Sequence, residues 1–371
     1  MGLRKGTLTF SRYRLIGAQQ DRFTDFFNER IRRDAFQSVW RTADEKAVGW
    51  TALDDPLDTE FQFASYAQGR YLVFSLRIDR KSVPPALLRL RILEAERNKL
   101  AETGQKKLYR EQREAIREAV RLDLVGKTLP APAFFEICWS FTEQTLIFCS
   151  LSDKVFEELQ ELFRESFQLT LSPYTPLDAQ VTGQGRLDAG APAKAAEPPS
   201  LPAGVDPLTI GREFLTWLWF KSEERSGMIQ IPDAGDCEIT FIRRLVLESG
   251  DGEYAETVVC QGMHSDLKEG KEALRQGKKI TAARLRLAHD KTEWEFTFKA
   301  DRFQFQSLKL PTLPENDGEE VDREGQLLER IYLVEKAVGI MDLLFTSYLN
   351  LRLSNAWETE LSRMQKWVES A

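Results

Sequence analysis

The chain has 371 residues, 42% of them apolar, 11% aromatic and 29% charged. At roughly 100–200 residues per domain, that length makes about two to three domains, and the composition excludes a disordered chain. No apolar run approaches the ~20 residues of a membrane helix, and residues 1–10 carry Arg4 and Lys5 without an apolar stretch, so a cytoplasmic chain with no secretory leader is expected.

Residues 6–15 alternate Leu8 and Phe10 against Thr7, Thr9 and Ser11 and read as a strand. Phe23, Phe26, Phe27 and Ile31 recur at helical spacing over 21–32. Val48-Gly49-Trp50 follows a polar turn, and 70–78 (RYLVFSLRI) is a strand rich in aromatic and β-branched residues. Val83-Pro84-Pro85 opens a helix over about 86–101, because proline suits a first helical turn. Thr103-Gly104 breaks it, and a second helix over about 106–125 completes a hairpin stopped by Gly126. The apolar stretch 129–135 reads either as a buried connection or as an exposed contact for self-association. Residues 135–150 read as two strands about a turn at 142–144, and 153–167 as an amphipathic helix.

Gly, Pro and Ala fill 14 of the 22 positions 183–204, so 183–206 is expected to be a flexible linker between regions 1–182 and 207–371. An aromatic-rich helix over 209–224 follows, with Trp217, Trp219 and Phe220 expected in a core. Strands are expected over 237–248, 257–261, 280–288 and 292–299, and a short helix over 266–276. A long helix runs over about 322–353, and Trp357, Leu361, Met364 and Trp367 continue its spacing. Strands and helices mix without a βαβ rhythm, so the expected class is α+β, with mixed antiparallel sheets, a charged helical hairpin and a long C-terminal helix.

Several chemistries lose ground on motif absences. Cys138, Cys149, Cys237 and Cys260 make no CxxC pair, and His264 and His289 supply no zinc-type spacing, so reduced thiols and no metal are expected. No GxxxxGK[ST], GxGxxG, HExxH or GxSxG occurs. Most standard enzyme classes lose ground on these absences and no cofactor is expected, while an unfamiliar acid-based active site stays open. Asp54, Asp55 and Asp58 could serve a metal-dependent nuclease, although an Asp-Asp-Pro loop is more often a turn.

The net charge of −7 is unevenly spread. Residues 70–127 hold fifteen basic and eight acidic side chains, net +7, and 263–310 hold eleven and seven, net +4, in an otherwise neutral or acidic chain. Within the second hairpin helix, Lys106, Arg110, Arg113, Arg117 and Arg121 step by 4, 3, 4 and 4 and share one face. Like charges at i,i+4 destabilise a helix by about 0.2–0.5 kcal/mol per pair, with Arg110–Glu114, Glu114–Arg117 and Glu118–Arg121 returning part of it. Such a helix can be simply solvated. It can also be an anion track, since ~22 Å of regularly spaced cations suits a phosphate backbone. Lys107 belongs to the same segment, and Lys81, Arg89, Arg91, Arg97, Lys99 and Lys127 enlarge the patch. Lys278, Lys279, Arg284 and Arg286 form a second basic group on a turn and strand. Cations without interleaved aromatics point to backbone contact and not to base readout.

The order Val48-Gly49-Trp50, a strand, Arg80-Lys81-Ser82-Val83-Pro84, a charged hairpin, Leu129-Pro130, Ala133-Phe134 and Leu146-Ile147-Phe148-Cys149 resembles the RdgC family of bacterial recombination-associated DNA-binding proteins. Leu159 and Leu162-Phe163-Arg164 extend the likeness, as do Asp266-Leu267 and Gly277-Lys278-Lys279-Ile280-Thr281. The resemblance implies a horseshoe-shaped subunit that closes into a homodimeric ring around duplex DNA, without sequence preference. It also implies no catalysis, association with the nucleoid and restraint of a recombinase. By the same resemblance the basic residues above line the hole, and Phe134 and Asp266 belong to the dimer interface. The alternative expectation is an adaptor whose hairpin binds an acidic protein.

Overall fold

The computed structural model describes residues 2–17, 23–40, 42, 44–176, 207–224, 227–231, 235–249, 256–262, 268–311 and 322–370. The expected linker at 183–206 lies outside these. In chain order the elements are β1 (Leu8–Ile16), α1 (Phe23–Arg33), β2 (Lys46–Ala52), α2 (Phe63–Tyr66), β3 (Ala67–Gln68) and β4 (Tyr71–Arg80). The charged hairpin is α3 (Pro85–Thr103) and α4 (Arg110–Lys127), followed by β5 (Ala131–Ser140), β6 (Thr145–Phe148), α5 (Asp153–Phe167) and β7 (Thr170–Pro173). The later part holds α6 (Pro207–Glu224), β8 (Met228–Ile231), β9 (Gly235–Glu248), β10 (Thr257–Gln261) and α7 (Lys268–Arg275). It ends with β11 (Lys279–His289), β12 (Thr292–Lys299), β13 (Gln304–Lys309), α8 (Arg323–Arg352) and α9 (Trp357–Glu369).

The main strand order is β10-β9-β11-β12-β13-β1-β6-β5-β4-β2, and neighbours along it pair antiparallel. β1 joins the two halves. Its start pairs with β13, Leu8 opposite Leu308 and Phe10 opposite Phe305. Its end turns to β6 and β7, with Tyr13 opposite both Leu146 and Pro173. Alternation sorts its side chains between two cores: Leu8 and Phe10 enter the C-terminal one, Tyr13 and Leu15 the N-terminal one.

In the N-terminal core, Phe27 and Ile31 of α1 and Leu159, Phe163 and Phe167 of α5 cover Trp50, Phe74, Trp139 and Phe148 of the sheet. The Trp50 indole donates to the Ser166 hydroxyl at 2.9 Å, so its polar edge is satisfied inside. In the C-terminal core, α6 and α8 cover β9, β11, β12 and β13, and Trp217, Trp219 and Phe220 are buried as their spacing predicts. Each such large side chain contributes about 1.5–3 kcal/mol on burial.

α8 also reaches the N-terminal half. The buried Arg12 guanidinium of β1 forms a two-pronged pair with Asp342 at 2.6 and 2.8 Å and lies over the Tyr174 ring at 4.4 Å. Tyr71 of β4 donates to Glu335 at 2.7 Å. Burial and this acceptor carboxylate both push the Tyr71 hydroxyl well above its ordinary pKa.

The mixed α+β class holds. The reading of 129–135 as a buried connection does not, because strand β5 starts at Ala131 despite its prolines and its first four residues are exposed. β6 reaches only Ile137, through Phe148, so Pro132 sits where β5 has β4 on one side only. Proline is tolerated at such an edge because no ladder donor is needed there.

Candidate nucleic-acid interface

The hairpin leaves the sheet where β4 and β5 end side by side, Arg80 opposite Ala131. Pro85 begins α3, and Gly104 ends it in the left-handed region at φ 64°, a conformation that glycine adopts without strain. Gln112 folds back so that its side-chain oxygen accepts from the Tyr109 backbone N–H at 2.9 Å, which fixes the start of α4. Leu88, Ile92 and Leu100 of α3 are half-buried, as are Ile116 and Val120 of α4, and Leu108 and Leu124 are buried. α3 has no fully buried residue. Leu87, Leu90, Leu93 and Leu122 are exposed on the outside of the two helices.

The hairpin cations divide into two sets. Arg110 pairs with Glu114 at 2.9 Å, Lys127 with Asp123 at 2.7 Å, Arg91 with Glu94 at 2.8 Å and Lys99 with Glu102 at 3.5 Å. Arg121 reaches Glu45 at 2.7 Å, so the expected Glu118–Arg121 pair does not form. The expected Glu114–Arg117 pair does not form either, because Arg110 holds Glu114. Among the described residues, no carboxylate lies within ion-pairing distance of Arg89, Arg97, Lys106, Lys107, Arg113 or Arg117. Six cations therefore face water without a counter-charge; Arg113 and Arg117 are on α4, whereas Lys106 lies in the turn before it and not on the helical ladder that its spacing predicts, because α4 starts only at Arg110.

Lys81 is placed differently from its expectation. It is 6% exposed, and its ammonium donates to the Thr42 carbonyl at 2.6 Å. It ties the end of β4 to the loop before β2 and is not available to an outside phosphate. Lys278 is 7% exposed and paired with Glu256 at 2.7 Å, which also removes it from a free track. Arg284 and Arg286 do alternate on one face of β11, but each meets a cross-strand carboxylate of β12, Glu295 at 2.7 Å and Glu293 at 2.8 Å. Lys279 is exposed and has no ion-pair partner among the described residues.

The sequence pattern does not single out Arg243, Arg244, Lys299 or Lys309. Arg243 and Arg244 are adjacent and exposed, with Arg243 at φ 58° where the β9–β11 register shifts. The interrupted alternation in Phe241-Ile242-Arg243-Arg244-Leu245 is the signal of that bulge. Burial pushes the Glu295 carboxyl up, but the hydrogen bond from Arg284 and the charges of Arg284, Arg243 and Lys309 outweigh it and hold the group below its ordinary range. The outer face of this sheet is thus a mixed-charge surface. β11 lies five strand positions from β5 in the sheet order, with the turn in β1 between them.

Phe134 is 43% exposed on β5, opposite Arg77 of β4. The Arg77 guanidinium is 4.0 Å from the Phe36 ring and 5.4 Å from the Phe134 ring, and Asp79 holds it at 2.8 and 2.9 Å. Phe134 is thus supported from below and open above. Asp266 and His264 lie outside the described residues. The acidic group at 54–58 is occupied: Asp54 pairs with Arg4, while Asp55 and Asp58 accept from backbone N–H groups of their own loop. Among the described residues, no cluster of three or more His, Cys, Asp or Glu side chains is placed to hold a metal ion, and no helix is long and apolar enough to cross a membrane.

No protein of curated description matches the chain. Residues 11–184 match the family described as "RdgC: Putative exonuclease, RdgC". That segment runs from β1 past β7 and contains the whole charged hairpin, and over it the chain is similar to the RdgC family.

Proposed function

We propose that the chain binds duplex DNA through its phosphate backbone, without sequence preference, and that the α3–α4 hairpin is the principal contact. The observation that carries this is the set of six exposed, unpaired cations on one projecting hairpin. Lysine and arginine contacts to phosphate release condensed counterions, give affinity on any sequence and position the protein without reading bases. Similarity to a family described as a "Putative exonuclease" agrees with a DNA-associated role. The chain itself is proposed to bind and not to cleave.

The finer proposal is a homodimer that closes into a ring on the nucleoid and restrains a recombinase by occupying its duplex. Half-exposed Phe134, with exposed Leu129 beside it, supports a contact with a second copy. A competition assay tests the DNA reading: unlabelled duplex of unrelated sequence should displace a labelled duplex as well as the identical sequence does. The labelled strand should stay intact in magnesium, and the protein should survive higher salt on closed circular DNA than on the same DNA linearised. Displacement only by the identical sequence would overturn non-specific binding. Loss of labelled strand would overturn the non-catalytic reading, and equal salt release from both forms would overturn the ring.

A second reading is favoured by Leu87, Leu90 and Leu93, which form an exposed apolar strip on α3. It is an adaptor that takes an acidic protein partner on the same hairpin. Displacement of bound duplex by polyglutamate at equal charge concentration would support it.

A further inference from the structure

We propose that the cleft between the tips of α3 and α4 receives one unpaired nucleotide of a DNA strand. The proposal rests on the DNA-binding reading above and narrows it to gapped or frayed DNA. The cleft is open to solvent on one side and offers about 840 Å³, within the ~300–1,000 Å³ usual for small-molecule sites.

Its walls have the chemistry that a nucleotide needs. Lys106, Lys107, Arg113 and Arg117 line it, and none has an ion-pair partner among the described residues. Four such cations around one cavity exceed what a single phosphate needs, and they match a nucleotide with its two flanking phosphodiesters. Ile92 and Leu108 give the cleft an apolar lining. Tyr109 also lines it, with 73% of its surface exposed, although an aromatic ring of this size is normally buried or covered. Its backbone is fixed by Gln112, so the ring stands on an ordered helix start. An exposed ring beside unpaired cations is the arrangement on which single-stranded bases stack. A base inside a duplex has both faces covered by its neighbours, whereas an unpaired base can enter. Glu96 also lines the cleft and can accept from an exocyclic amine of the base.

The test uses the full-length protein and three labelled DNAs of the same sequence: fully paired, carrying a short single-stranded gap, and carrying a single-stranded overhang. The gapped and overhanging forms should bind about tenfold more tightly than the paired form, from stacking of one base. Tyr109→Ala should remove that preference and leave paired-duplex affinity unchanged, while Tyr109→Phe should retain it. A 2-aminopurine in the gap should lose emission on binding to the wild type and not to Tyr109→Ala. Equal affinity for all three DNAs overturns the cleft assignment and leaves duplex binding standing. A preference for the gap that persists in Tyr109→Ala assigns it to DNA bending and also overturns the cleft. Binding of deoxyadenosine monophosphate, dependent on Tyr109 but without any gap preference, would make the cleft a free-nucleotide site and overturn the proposal. No binding to any DNA overturns the duplex reading itself.

Discussion

Replacing Arg113 and Arg117 together by glutamine removes two of the six unpaired hairpin cations and little else, because both side chains are exposed. They are four residues apart, about 6 Å along the helix, a little under two phosphate steps of a strand at about 3.4 Å each. Each phosphate contact contributes about −0.9 to the slope of log affinity against log salt. Six contacts give a slope of about −5.4, and four give about −3.6. Between about 50 and 200 mM salt, the wild type should lose about 2,000-fold in affinity and the double variant about 150-fold. Fluorescence anisotropy of a labelled duplex over a salt series measures both. The substitution also removes the Arg113–Arg117 and Arg117–Arg121 repulsions, worth about 0.2–0.5 kcal/mol each. The variant should therefore be no less stable than the wild type in urea, which separates a binding defect from unfolding. A slope equal to that of the wild type would refute the assignment of this helix.

Other perturbations test the frame and the second basic surface. Arg12→Ala leaves Asp342 without its partner in a largely buried site and should cost about 3 kcal/mol in urea unfolding. Gly49→Ala places a Cβ 2.4 Å from the Phe36 Cα, where only backbone can give way. It should cost about 1–3 kcal/mol by overpacking and lower the urea midpoint. Glu295 titrates below its ordinary range when folded, so its contribution to stability is complete above about pH 4.5 and is lost as pH falls through the lower folded value. Glu295→Gln should accordingly show a flatter acid limb in pH-dependent unfolding. It also releases Arg284, and it should steepen the salt slope on duplex DNA by about 0.9. An unchanged slope would place the β11–β12 face outside the interface.

Much of the frame is legible in the sequence because burial writes itself as periodicity. Tyr71 to Arg80 alternates between two cores, and the α5 residues Leu159, Phe163 and Phe167 recur on one buried face. The hairpin is legible from Pro85, Gly104 and the arginine steps. What one strand does for two sheets is not legible. Nothing in Leu8–Ile16 marks the point where β1 turns from β13 to β6, because that depends on residues nearly 300 positions away in the chain. The same limit applies to charge. Spacing shows that Arg284 and Arg286 share a face, but not that Glu295 and Glu293 stand opposite them. Lys81 looks like part of the track because it follows Arg80, yet the strand's alternation turns it inward to Thr42. Helical neighbours predict partners for Arg117 and Arg121, and Glu45, far along the chain, takes Arg121 instead. Tyr109 is inconspicuous in the sequence as a single aromatic in a charged segment, and only its place in the cleft makes it notable.

The most direct measurement is the salt dependence of wild-type binding to two duplexes of unrelated sequence. A log–log slope near −5, the same on both, is the expected result for six unpaired cations on phosphates. Absence of binding at low salt, or affinities that differ more than about tenfold between the two sequences, would contradict a hairpin that tracks the DNA backbone.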